Sequence, residues 1–185
     1  MRIDGAGFEA LMADMEASVR AFMERVRSDP SLWTCARPGK WSVGRHADHI
    51  ATALTVTADG LEHAERDLRA GVLLTPPLRW PLELLFVGIA VKAGHFPRGG
   101  RAPRSIVPGP NPIAEDVAAR VGRDLARHRA LGERLSAEER DRLWIPSPFM
   151  RGWHYRYPEI LRLHAVHTRH HARQVDEVAR ARSRA

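Results

Sequence analysis

Cysteine is almost missing from this chain, with Cys35 as its single representative. No intramolecular disulfide can form, and no thiolate cluster can hold a metal, so any ion must be held by imidazole or carboxylate groups. One free thiol suits a reducing compartment, and Met1 to Gly7 contain no apolar leader; a cytoplasmic location is expected. Long hydrophobic runs are also lacking. The most apolar stretch, Trp80 to Val91, is broken by Glu83 and is too short to span a bilayer, so no membrane partner is expected. Aromatic residues are sparse at 6%, but 44% hydrophobic content is ordinary for a soluble globular chain. At 185 residues, a single domain over 1–185 with a substantial core is expected.

One sign of charge is in excess. The net charge of +7 invites a nucleic-acid reading, yet the excess is mostly arginine interspersed with acids, as in Arg134 to Arg142 with Glu138, Glu139 and Asp141. No nucleic-acid motif accompanies it, and nucleic acid is not the expected partner.

Helical periodicity dominates what is present. Phe8, Leu11, Met12, Met15, Val19, Phe22, Met23 and Val26 recur at threes and fours, predicting an amphipathic helix stopped by Ser28-Asp29-Pro30. A loop follows to Lys40, with Trp33 packing on the helices. Ser42 is a plausible N-cap for a second long helix with Val43, Ala47, Ile50, Leu54, Leu61 and Leu68 as its stripe. A second strip of small residues, through His49, Ala53, Val56 and Gly60, leaves room for a cavity. His46 and His63 fit less well and read as surface residues or as partners of ligands. Trp80 to Gly94 predicts a shorter apolar helix, with Pro81 in its first turn.

The stretch His95 to Pro112 is long for a structureless connection. Its Arg98, Arg101 and Arg104 could receive an anionic substrate; equally, the stretch could be a rigid proline-rich crossover. Pro112 opens another helix, with Ile113, Val117, Val121, Leu125, His128, Leu131 and Leu135 as its inward stripe. Ser136 and Glu139 make a capping box for a short one. Ile145 to Tyr157 reads as a loop, and the last helix begins near Pro158. No strand is evident, so the expected class is all-α: a helical bundle with a long crossover loop and additional short helices.

The last helix carries the chemistry. Four of the chain's 10 histidines lie between His164 and His171. His164, His167, His171 and Gln174 share one face, continued by Ile160 and Val178, whereas His170 points toward the polar side. Buried imidazoles need partners for their nitrogens. A divalent ion supplies one, and two histidines at i and i+4 can both reach it. The pair His167 and His171 alone is equally compatible with a hydrogen-bonded polar core. An HExxH protease is excluded, because Thr168 follows His167.

Two stretches together resemble a known superfamily. Lys40-Trp41-Ser42 with His49 resembles the W-S-x-x-x-x-x-x-H motif of DinB-like proteins, the damage-inducible, YfiT-like metal-binding four-helix bundles. His167-Thr-Arg-His170-His171-Ala-Arg-Gln174 resembles their H-x-x-x-H-x-x-Q motif, and the chain is similar to a branch without an assigned activity. The resemblance implies a metal held by His49, His167 and His171, with zinc first and nickel or iron as alternatives. It implies an enzyme of hydrolase or S-transferase type, activating water or a low-molecular-weight thiol toward a small-molecule substrate; bacterial thiol-dependent S-transferases are among the relatives. Gln174 would contact a ligand's second nitrogen, with Asp48 and Asp59 as further candidates. His164, His154 and Tyr155 are candidate general bases, none of them singled out by the residues. The alternatives are a non-catalytic metal-binding bundle and, behind it, a basic nucleic-acid module. DinB-like bundles often pair, so a homodimer through the apolar Leu82 to Val91 helix is a further expectation; that helix could equally be buried within its own chain.

Overall fold

A computed structural model of the chain describes residues 5–72, 81–88, 93–94 and 102–184. The described residues are mostly helical. Four long helices dominate: α1 (Gly5–Arg27), α2 (Val43–Arg69), α4 (Ala114–Arg134) and α6 (Tyr157–Arg182), with short α3 (Pro81–Phe86) and α5 (Ala137–Arg142) between them. Helix α1 packs along α6, and α2 along both α4 and α6. The stripe from Phe8 to Val26 is buried throughout and joins the inward residues of the other long helices in one hydrophobic cluster.

The helix starts follow local chemistry. The Ser42 hydroxyl accepts the Arg45 N–H at the head of α2, satisfying a donor that has no partner within the helix. Ser136 and Glu139 form the reciprocal capping box of α5. At α6, Pro158 occupies the first turn and the Glu159 carboxylate accepts the Arg156 N–H at 3.0 Å.

Three sequence expectations need correction. Ile113 does not join the inward stripe: it precedes α4 and is exposed. The segment after α5 is not simply a loop: β1 (Trp144–Pro146) and β2 (His154–Arg156) form an antiparallel hairpin with Ile145 opposite Tyr155. The small-residue strip of α2 does not leave a void at Gly60 either. Ile145 fills that place, its Cδ1 lying 3.4 Å from where a Gly60 Cβ would stand. The expected helix from Trp80 to Gly94 is described as α-helix only over Pro81–Phe86; residues 89–92 lie outside the described part. Leu82, Leu84 and Leu85 are exposed there, whereas Glu83 is buried and accepts the His154 N–H at 2.9 Å.

The segment 102–112 is tied down rather than loosely draped. Ser105 Oγ donates to the Pro148 carbonyl at 3.1 Å, and the Gly109 N–H donates to Asp48 at 2.7 Å. Trp33 Nε1 donates to the Pro112 carbonyl at 2.8 Å. Asp48 is also paired with Arg120.

Trp33 lies flat against the start of α2. A Cβ at Gly44 would stand 2.6 Å from Trp33 Cε2, in the middle of the indole rather than at a flexible tip. Because that ring is anchored through Pro112, Gly44→Ala is expected to destabilise the fold by about 1–3 kcal/mol, as overpacked cores do. Thermal unfolding checks it, and an unchanged melting temperature would contradict the tight contact.

Candidate metal centre

Helices α2 and α6 meet with their histidines facing. His49 projects from α2; His167 and His171 are one turn apart on α6, as a spacing of four requires. All three are buried. The Nε2 of His167 lies 3.2 Å from His49 Nε2 and 3.0 Å from His171 Nε2. One ligand atom from each of the three falls within 4.8 Å of the others.

This geometry fits a divalent ion. Three imidazoles at zinc-like bond lengths and tetrahedral angles place their nitrogens about 3.3 Å apart. The donor set is also correctly prepared at His49. Its Nδ1 lies 2.6 Å from the Ile106 carbonyl, which can only accept, so Nδ1 carries the hydrogen and Nε2 is left bare toward the centre. Among the described residues, His49, His167 and His171 are the group that could hold a metal ion.

Electrostatics keep the cluster uncharged. Burial, reinforced by the neighbouring His171 and His49, pushes the His167 imidazole well below its usual range. Burial and the facing His49 and His46 do the same to His171, with Gln174 opposing. His49 is lowered by burial against the opposing pull of the Ile106 carbonyl. Three neutral rings offer lone pairs at neutral pH without first losing protons.

Aromatic rings wall the site. Trp41, two residues before α2, stands 4.9 Å from the His49 ring and stacks at 6.4 Å beside His171. Phe149, in the turn of the β1–β2 hairpin, meets His167 edge-on at 5.3 Å.

The remaining sequence candidates fall in other places. His46 is not a surface residue: it is buried, with Nδ1 2.9 Å from His171 Nδ1. His170 is likewise buried rather than turned to solvent, and the Gln174 amide nitrogen lies 3.2 Å from its Nε2. His63 is exposed beside Asp67. Asp48 is engaged by Arg120 and Gly109, and Asp59 by Arg127 at 2.6 Å, so neither supports a ligand by a described bond. Arg104 is exposed in a single 3-10 turn, Arg104–Ile106; Arg98 and Arg101 lie outside the described residues.

None of the three candidate bases belongs to the group around the Nε2 nitrogens. His164 points into a separate polar cluster, its Nε2 2.8 Å from Thr57 Oγ1 and its ring 5.6 Å from that of His128. Tyr155 is buried on the core side of the hairpin, and half-buried His154 stands opposite Pro146. The sequence singled out neither Trp41 and Phe149 as walls of the site nor the Ile106 carbonyl, and it left His46 open between a surface residue and a partner of a ligand. The position of Trp41 in the W-S motif was the one available signal among these.

Comparison with known proteins found no matching family model, curated protein or solved structure. Among the described residues, no helix is long and apolar enough to cross a membrane.

The His128–His164 cluster sets an acid limit on stability. Burial pushes His128 from the usual 6.5 down to about 4, and lowers His164 well below its usual range. The unfolded chain therefore binds protons that the folded chain refuses. Above 6.5 neither state is charged at these rings and no penalty exists; stability is lost as pH falls from 6.5 toward 4. The melting temperature of chelator-treated protein is expected to drop across that window, already in its upper part, before carboxylates begin to titrate. A flat profile there would contradict neutral buried imidazoles.

Proposed function

We propose that His49, His167 and His171 bind a divalent metal ion, zinc first and nickel or iron as alternatives, in a DinB/YfiT-like four-helix bundle. We propose further that the protein is a metal-dependent enzyme acting on a small molecule, of hydrolase or thiol S-transferase type. The observation that carries the reading is the convergence of three Nε2 nitrogens within 3.0 and 3.2 Å of their neighbours, with His49 already locked in the ligating tautomer. Three protein ligands leave coordination positions open, as catalytic sites do and closed structural sites do not. When bound, such an ion is a Lewis acid that lowers the pKa of a coordinated water or thiol toward neutrality.

The chain's own groups do the rest. The neutral imidazoles of His167 and His171 offer lone pairs, and the Ile106 carbonyl holds the His49 proton at Nδ1, away from the centre. Trp41 and Phe149 exclude water from two sides, which strengthens every electrostatic interaction within. The exposed Arg104 marks the segment that would meet an anionic substrate.

Burial of all three ligands supports a second reading, a non-catalytic ion that pins α2 to α6. The two readings share the metal and differ in the consequence of its removal. In both, an ion that binds only the folded state stabilises it, by about 2.7 kcal/mol at a hundredfold excess over Kd.

Elemental analysis of protein purified without a polyhistidine tag tests the proposal. About one zinc, nickel or iron per chain is expected, lost on His49→Ala and on His171→Ala. Hydrolysis of small esters and amides and transfer to low-molecular-weight thiols, assayed with and without chelator, separate the readings. Chelator that lowers the melting temperature while no reaction is found would favour the pinning ion. Folded protein that takes up none of these metals would overturn both.

A further inference from the structure

His46 has no part in the three-histidine group, yet it is buried against it. It lies on α2 one turn before His49, and its Nδ1 is 2.9 Å from the Nδ1 of His171. Trp41 fixes the pair from outside, edge-on to His46 at 5.6 Å and stacked beside His171. Two ring nitrogens at this distance must share a hydrogen, with one ring donating and the other accepting.

Only two neutral arrangements exist. If His46 donates, the second nitrogen of His171 carries that ring's hydrogen, and Nε2–H points at His167 Nε2, 3.0 Å away. A nitrogen in that state cannot ligate. If His171 donates from Nδ1, its Nε2 is bare and joins the bare Nε2 of His49, while His46 accepts and keeps its own hydrogen on Nε2. The ligating arrangement is therefore the one in which His46 is the acceptor.

We infer that His46 is a positioning residue for the metal: its Nδ1 accepts the His171 Nδ1–H, and so holds His171 with Nε2 bare toward the centre. The inference rests on the three-histidine reading and deepens it. His46 does for His171 what the Ile106 carbonyl does for His49. Metal-bound histidines usually donate their second N–H to a carboxylate, a carbonyl or water. For His49 and His171 the acceptors are a carbonyl and an imidazole, both uncharged, while the nearby carboxylate Asp48 is committed to Arg120 and Gly109. Neutral acceptors compensate a bound cation's charge less than carboxylates would.

The test uses the untagged full chain and Zn²⁺, with affinity read by competition against a chromophoric chelator. Wild type is expected to bind one ion and His167→Ala to lose it. His46→Phe keeps a ring of similar volume but removes the acceptor, and is expected to bind about 10- to 100-fold more weakly. His46→Asn places a carbonyl oxygen where Nδ1 stood and should recover most of that loss, which a purely space-filling role would not predict. Nitrogen-15 NMR of the zinc-loaded wild type gives a readout independent of any variant: a hydrogen on His171 Nδ1, and none on His46 Nδ1. Binding by His46→Phe as tight as wild type, or a His171 Nδ1 without hydrogen, would overturn the role of His46 and leave the metal site standing. Wild type that binds no Zn²⁺, or His167→Ala that binds as well as wild type, would overturn the site and this inference together.

Discussion

A buried imidazole must place two nitrogens, one donor and one acceptor, where water cannot help. The interface between α2 and α6 buries His46, His49, His167, His170 and His171 together, and the surrounding structure answers that demand. His49 is satisfied by a backbone carbonyl, His171 by a neighbouring imidazole, and His170 by an amide. What is left are nitrogens of His49, His167 and His171 crowded around one point. Bare lone pairs at such distances repel, and a cation among them turns the repulsion into bonds. The polar core and the candidate metal centre are thus one constraint seen from two sides.

That constraint accounts for features distant in sequence. The segment 102–112 is fastened at Ser105, Ile106, Gly109 and Pro112, and its Ile106 carbonyl fixes the tautomer of His49. The β1–β2 hairpin carries Phe149 against His167, and its Ile145 fills the space over Gly60. Loosening either element would expose an imidazole to water, raise its proton affinity and remove a lone pair from the centre. In the second cluster, Thr57 Oγ1 lies 2.8 Å from His164 Nε2 and 3.2 Å from His128 Nε2, while the Nδ1 of each ring is buried without a hydrogen-bond partner among the described residues. It reads as a partly hydrogen-bonded polar core, the bland alternative that a histidine stripe always carries.

Much of this was legible in the sequence, for physical reasons that also explain the gaps. The four long helices declare themselves because each buries a stripe at helical spacing; Ser42 and Pro158 mark the starts of two of them, and Ser136 that of short α5. The pair His167 and His171 follows from periodicity alone. His49 stood out because it lies among small residues on a second buried strip. The hairpin escaped because its strands are three residues each, too short to show alternation, and cross-strand pairing rather than local propensity holds them. His46 could be read either as a surface residue or as a partner of a ligand, because its burial comes from Trp41 and His171, contacts between distant parts of the chain. The Ile106 carbonyl has no signature at all, since every residue has one.

Diffraction from zinc-soaked crystals, recorded on either side of the zinc absorption edge, tests the central claim most directly. The account predicts one strong anomalous peak among the Nε2 atoms of His49, His167 and His171, about 2.0–2.1 Å from each. A peak at other side chains, or none at this point with the three rings hydrogen-bonded among themselves, would contradict it.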